Sequence, residues 1–278
     1  MTKFKVTVLC ENNVFGNLGA IAEHGWAAYI ETESGNYLFD TGQGQGIIPN
    51  AQHFKKQLSG IQGIVLSHHH SDHTGGLLQV LEANEHRSLP VYAHPDLFRE
   101  GYLTRSSYLY IGVPETRERL EHAGADFKWN TTFTEIAPNL YVTGEVPRVT
   151  DYEFGDEDIV IKTADGYIKD DIIDDQSIIM KTEEGLFIVL GCSHAGIINI
   201  IKHAIHMTGE TRVHTVIGGT HLWCVSKEQQ DRTIEELQSF DIQRLGVSHC
   251  TGFAMATRLA QVFGDRFFSC NVGTVVEV

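Results

Sequence analysis

At 278 residues with 42% hydrophobic content, the chain is long enough to build one large core or two small ones. Its net charge of −15, with no cluster of Lys or Arg along the sequence, argues against a nucleic-acid backbone as the main partner. No apolar run reaches the length of a bilayer span and the first residues lack a signal-peptide core; with five cysteines and no Cys-x-x-Cys pair (Cys10, Cys192, Cys224, Cys250, Cys270), the chain reads as a reduced, cytoplasmic protein with no membrane partner.

Taken in order, residues 27–40 read as a strand, a Ser34-Gly35 turn and a second strand ending at Asp40. The apolar stretch 63–66 is a buried strand leading into His68-His69-His70-Ser71-Asp72-His73, and the spacing of Leu77, Leu78, Val80 and Leu81 predicts a helix over 74–83. From 87 to 130 the pattern is less regular. Pro90, Pro95 and Pro114 break it, Tyr102, Tyr108 and Tyr110 enrich it, and it reads as an inserted or elaborated segment over the site, with a helix around 116–123. A short strand over 140–143 precedes Glu145, and the acid-rich stretch 151–175 reads as a long solvated loop. Residues 177–190 repeat the first hairpin around Glu184-Gly185. Helices are expected over 196–207, over 226–240 behind a Ser-x-x-Gln cap, and over 251–263. Two similar halves, each a sheet with helices outside it, predict an α/β four-layer αβ/βα sandwich spanning 1–278 as one domain.

Within 68–73, alternation along the strand sends His68 and His70 to one side and assigns His69 to packing or hydrogen bonding. Asp72 and His73 open the next helix, where they face a second ion. Imidazoles with a carboxylate suit zinc, iron or manganese. His-x-His-x-Asp-His after a buried strand, with Phe39-Asp40-Thr41-Gly42 before it and Val247-Ser248-His249-Cys250 late in the chain, resembles the signature of the metallo-β-lactamase-fold superfamily. More narrowly, Thr143 to Arg148, Asp174-Asp175-Gln176-Ser177, Gly191 to Gly196 and His249-Cys250-Thr251-Gly252 resemble one subgroup. It includes a synthase of methanopterin-type biosynthesis, which joins a dihydropterin to a ribosyl-aminobenzene phosphate.

The resemblance implies that His68 and His70 share one ion with a mid-chain ligand, while Asp72, His73 and His249 hold another. At two places the sequence departs from the common pattern: Glu145 stands where the superfamily carries its middle histidine, and His194 where it carries a bridging aspartate. We read His194 as the missing ligand. Glu145 ranks second, as a ligand, a general base or a partner orienting a histidine, and Cys192 third, as a small buried side chain at a strand end. The resemblance gives Asp40 the task of holding the metal loop or a ligand histidine, which is compatible with capping its own turn. His221, beside Gly218-Gly219, is placed against substrate, and Arg148 suits a bidentate contact with phosphate or carboxylate, or else a surface ion pair. His24, His86, His94 and the other histidines receive no role. The first expectation is a hydrolase of a small ester, lactone or phosphoester that uses a metal-activated hydroxide, with Asp72, Glu145 and His221 at the chemistry. A transferase on phosphorylated or pterin-like molecules is the second, with the three tyrosines lining its pocket, and a non-catalytic or di-iron redox protein is the third.

Overall fold

Alternation along the strands sorts the apolar side chains into three core layers. In the strand Ile178–Lys181, Ile178 and Met180 pack between two sheets while Ile179 faces outward. The strand Leu186–Leu190 does the same, with Phe187 and Val189 inward and Leu186, Ile188 and Leu190 under the helices. In the first half, Ala28 and Ile30 go between the sheets, and Ala27 and Tyr29 lie beneath helices carrying Ile47, Leu77, Val80 and Leu120. A strand buried on both faces reads as a continuous apolar run, as 186–190 does. The structure, a computed structural model, describes residues 3–85 and 87–278; His86 lies outside the described residues.

Among the described residues each main sheet has seven strands. The first runs Val275–Glu277, Lys5–Cys10, Ala27–Thr32, Gly35–Phe39, Gly63–Val65, Leu89–Ala93, Ala125–Trp129. The second runs Phe267–Ser269, Arg244–Ser248, Val213–Gly219, Leu186–Leu190, Ile178–Lys181, Leu140–Val142, Thr134–Ala137. With helices such as Ile197–Thr208, Lys227–Ser239 and Phe253–Phe263 on the outer face, this is the four-layer αβ/βα sandwich. In both sheets four neighbouring strands are parallel, and the carboxyl ends of parallel strands are where an open α/β sheet builds its sites.

Local chemistry sets the ends of the helices. Ser226 and Thr116 accept from the backbone N–H groups of Gln229 and Arg119, as N-caps do. The helix expected over 74–83 is two pieces, Ser71–Thr74 and Leu77–Ala83. Gly75 and Gly76 part them because that turn presses on the Asp40 loop: a Cβ would lie 2.6 Å from the Gln43 carbonyl oxygen and 2.3 Å from that of Thr41, respectively.

Two expectations for the connecting segments change. Residues 89–93 and 125–129 are strands of the first sheet, so only the chain between them departs from it. The acid-rich 151–175 is not a solvated loop. It supplies Ile159–Thr163 and Gly166–Lys169, which join Gly101–Leu103 and Leu109–Tyr110 in a separate four-stranded sheet. Asp170 and Asp174 are buried because Arg99 and His69 meet them: Arg99 Nε is 3.0 Å from Asp170, its other nitrogen bonds Asp174, and His69 Nδ1 is 3.0 Å from Asp174. Those partners lie some 70 to 105 residues away in sequence, so local composition gave no sign of them. Among the described residues no helix is long and apolar enough to cross a membrane.

Candidate metal centre

The strand Gly63–Val65 ends in a loop whose side chains are wired one after another to Asp40. Asp40 Oδ1 accepts from the Ser67 backbone N–H at 2.7 Å; Oδ2 accepts from Ser67 Oγ and from His73 Nδ1, both at 2.7 Å. Having spent its proton on Asp40, Ser67 Oγ accepts from His68 Nδ1 at 2.8 Å. His249 Nδ1 gives its proton to Asn12 Oδ1 at 2.9 Å, and its backbone N–H goes to Glu11 Oε1 at 2.7 Å. This network assigns the tautomers: His68, His73 and His249 each carry the proton on Nδ1 and present the Nε2 lone pair inward.

Those lone pairs converge. His68 Nε2 is 2.9 Å from His70 Nδ1, and His73 Nε2 is 3.3 Å from His249 Nε2 and 3.1 Å from Cys192 Sγ. Asp72 Oδ2 lies 3.2 Å from His249 Nε2 and 3.3 Å from His24 Nε2. The His194 ring stands 4.8 Å from that of His68 and 5.0 Å from that of His70, and neither of its buried nitrogens has a hydrogen-bond partner among the described residues. His68, Cys192 and His194 place ligand atoms within 4.8 Å of one another, as do His73, Cys192 and His249. Buried imidazole nitrogens without a partner, as at His194 and His70 Nε2, are unfavourable in a dry site unless something bound there meets them, and a cation does. The donor set therefore fits metal ions, with Cys192 common to both groups.

The electrostatics agree. Burial, then the imidazoles of His73, His70 and His194, hold His68 well below the ordinary histidine range; burial and then His221 do the same to His194. These rings stay neutral, the form that ligates. Burial opposes ionisation of Asp72, but His73, His24 and His249 outweigh it and keep the carboxylate charged. Burial likewise opposes charge on His73, yet Asp40 and Asp72 together push it up to about 9, which marks its Nε2 as a position that attracts positive charge.

Four non-glycine residues at these strand ends hold strained backbone. Asp40, Ser193, His221 and His249 have φ of 59°, 62°, 50° and 49°, a left-handed conformation that costs non-glycine residues on the order of 1–2 kcal/mol each. The loop carrying Cys192 and His194 is held by its backbone. Asp175 Oδ2 accepts from Ala195 N at 2.8 Å, Arg148 donates to the His194 carbonyl at 2.8 Å, and Glu153 accepts from Ile198 N and Asn199 N at 3.1 Å.

A cavity of about 480 Å³ opens onto the cluster. Leu103, Leu109, Tyr110 and Ile159 of the small sheet roof it, with Arg105 and Trp223 at its wall. Arg105 stacks over Trp223 at 4.9 Å and is 3.1 Å from both Asp156 and Asp158.

The structure brings His68, His70, Asp72, His73, His194 and His249 together. It moves Cys192 from third place to the centre. Glu145 lies outside every ligand group: it is half exposed and paired with His94 Nε2 at 3.0 Å, because Gly144 turns the chain against Thr131 and Thr132. Arg148 spends its guanidinium on the carbonyls of His194 and Asp171, and does not line the cavity. His221 does line it, with Nε2 3.6 Å from Asp156. Of the three tyrosines only Tyr110 lines the cavity; Tyr102 and Tyr108 pack on Tyr167. Sequence reasoning missed Ser67, Glu11, Asn12 and His24. Ser67 adjoins the motif and was findable, whereas Glu11 and Asn12 act on His249 across more than 230 residues.

The model of the metallo-β-lactamase superfamily matches residues 21–153. Over 274 residues the chain is 32% identical to an uncharacterized protein of Methanocaldococcus jannaschii, covering 98% of this chain and 100% of that protein. Over 283 residues it is 28% identical to the 7,8-dihydropterin-6-methyl-4-(β-D-ribofuranosyl)-aminobenzene-5'-phosphate synthase of the same organism, covering 98% and 96%. Among solved structures it is similar to a metal-dependent hydrolase of the β-lactamase superfamily, with 25% identity, a TM-score of 0.84 and 99% of each chain covered. The fold, the ligand-bearing strand ends and these relatives agree: the chain belongs to the metallo-β-lactamase superfamily.

Proposed function

We propose that the chain is a metal-dependent hydrolase of a small ester, lactone or phosphoester. His68, His194 and Cys192, with His70 beside His68, would hold one ion, and His73, His249 and Cys192, with Asp72 beside His249 and His24, would hold the other. The observation that carries this reading is the inward convergence of lone pairs whose outer protons are taken by Ser67, Asp40 and Asn12. A thiolate between the groups favours zinc or iron over manganese, and zinc is our assignment. Bound there, the ions supply a water acidic enough to act as a nucleophile near neutral pH and polarise the electrophile.

The protein's own groups do the rest. Asp40 and Ser67 fix the imidazole planes, Asp72 holds negative charge beside His249, and Leu103, Leu109 and Ile159 keep water from the far side of the substrate. His221, standing at the wall, orients the substrate. The five free cysteines support a reduced, cytoplasmic setting.

The synthase relative favours a second reading, transfer of a dihydropterin to a ribosyl-aminobenzene phosphate, for which Tyr110 and Trp223 offer aromatic faces in the cavity. One experiment separates the two: pyrophosphate release from a dihydropterin pyrophosphate by zinc-loaded protein, with and without the acceptor, beside His70→Ala. Release that needs the acceptor and is lost in the variant supports transfer. Acceptor-independent release supports hydrolysis. No release removes the pterin reading and directs the search to simple esters and lactones.

A further inference from the structure

Two cysteines meet at the metal cluster, and only one of them is needed there. Cys192 follows the strand Leu186–Leu190, and Cys250 follows Arg244–Ser248; the strand Val213–Gly219 runs between those two. Its last residue, Gly219, leaves the space over which the cysteines approach. A Cβ there would lie 2.6 Å from Cys250 Sγ and 3.4 Å from Cys192 Cα. Cys250 Sγ donates to the Cys192 carbonyl oxygen at 3.4 Å, and Cys192, Cys250 and His221 place their ligand atoms within 4.8 Å of one another. Both cysteines line the cavity, so a small solute that enters it reaches both sulfurs. The other three differ. Cys10 and Cys270 are buried away from the cavity lining, and Cys224 sits with Asp156 and His221.

We propose that Cys192 and Cys250 form a reversible disulfide in the metal-free protein, and that this disulfide takes Cys192 out of the ligand set. A peroxide is the oxidant. One thiolate attacks a peroxide oxygen to give a sulfenic acid and water; the second attacks that sulfur, the S–S bond forms, and a second water leaves. Two thiols and one hydrogen peroxide thus yield one disulfide and two waters. A cysteine sulfur engaged in a disulfide is no thiolate and no longer ligates a divalent cation, so oxidation and metal loading exclude one another. This rests on the reading of Cys192 as a ligand to both ion positions. Cross-linking itself is measured without metal, so the two ideas fail separately.

The test treats metal-free and zinc-loaded protein with stoichiometric hydrogen peroxide, followed by peptide mass mapping and zinc titration before and after dithiothreitol. The expected result is a Cys192–Cys250 linked peptide, lighter by two hydrogens, in metal-free protein; zinc uptake falls and is restored by the reductant. Zinc-loaded protein is protected. Cys250→Ser and, as a second variant, Cys250→Ala give no linked peptide after the same treatment. A link through Cys224, sulfinic acid at Cys192 without a link, or a linked protein that still binds zinc fully would each overturn the proposal. Reduced protein that binds no zinc while still forming the link removes the metal reading and leaves the dithiol.

Discussion

The two halves of the molecule bring their ligands to the cluster by different means. In the first half the rings themselves are held: His68 by Ser67, His73 by Asp40, and the backbone of His69 by Asp174. In the loop Gly191–Gly196 of the second half the backbone is held, by Asp175, Arg148 and Glu153, while the His194 ring is packed among His68, His70 and His221 with no hydrogen bond to either nitrogen among the described residues. His249 stands between the two cases, fixed by Glu11 and Asn12 from the first half. On the proposed reading the first half is pre-organised for a cation by hydrogen bonds to its rings, and the His194 ring would gain its polar partner only from one. Pre-organised ligands gain affinity because little freedom is lost on binding. Free ones make the bound ion a stabiliser of the fold around them.

The largest effect belongs to the pre-organised half. Asp40→Ala strands the Ser67 N–H, Ser67 Oγ and His73 Nδ1 in a buried site, so a loss of about 3–5 kcal/mol in urea unfolding is expected, with zinc binding weakened in parallel. An unfolding midpoint within error of the wild type would mean that Asp40 does not hold this half together. Cys192→Ser comes next. Removing the sulfur shared by both groups should weaken zinc binding by more than the roughly 10–100-fold seen for residues that only orient ligands, and should leave the metal-free stability nearly unchanged. Equal losses of stability with and without zinc would place Cys192 in the packing and not in the site.

Smaller effects test the second-half loop. Burial pushes Glu153 and Asp175 each up to about 7, against ordinary values of 4.5 and 3.8. A carboxyl raised on folding contributes stability that is present below its unfolded value and lost as pH rises through the folded one. Metal-free protein should therefore lose on the order of 2 kcal/mol between about pH 5 and pH 8 relative to Glu153→Gln, measured by urea unfolding at both values. Parallel profiles would show that Glu153 does not titrate in this interval. The smallest expected change is at Arg148: Arg148→Ala frees the His194 carbonyl and should cost about tenfold in zinc affinity with little effect on substrate KM. A large KM change with zinc binding intact would return Arg148 to the substrate.

The same contrast explains what could be read from the chain alone. The convergence of the 68–73 side chains was legible because they are contiguous, follow an apolar strand and use the period of two to bring His68 and His70 together. The four-layer architecture was legible because the hairpins at 27–39 and 178–190 alternate in the same way. The place of Cys192 between the two groups was not legible, because a small apolar-looking residue after a strand carries no local mark of what its sulfur will meet. What gives it that place is the parallel pairing that sets Leu190 beside Gly218 and Gly219 beside Ser248. The roof was hidden for a related reason: an acidic stretch looks solvated until Arg99 and His69 arrive from another part of the chain.

Anomalous diffraction at the zinc edge from zinc-loaded crystals tests the central claim most directly. The expected result is one peak bonded to His68, His70, His194 and Cys192 and another bonded to Asp72, His73, His249 and Cys192, at about 2.0–2.3 Å from the ligand atoms. Peaks that leave Cys192 Sγ beyond bonding distance, or that draw in Glu145, would contradict it.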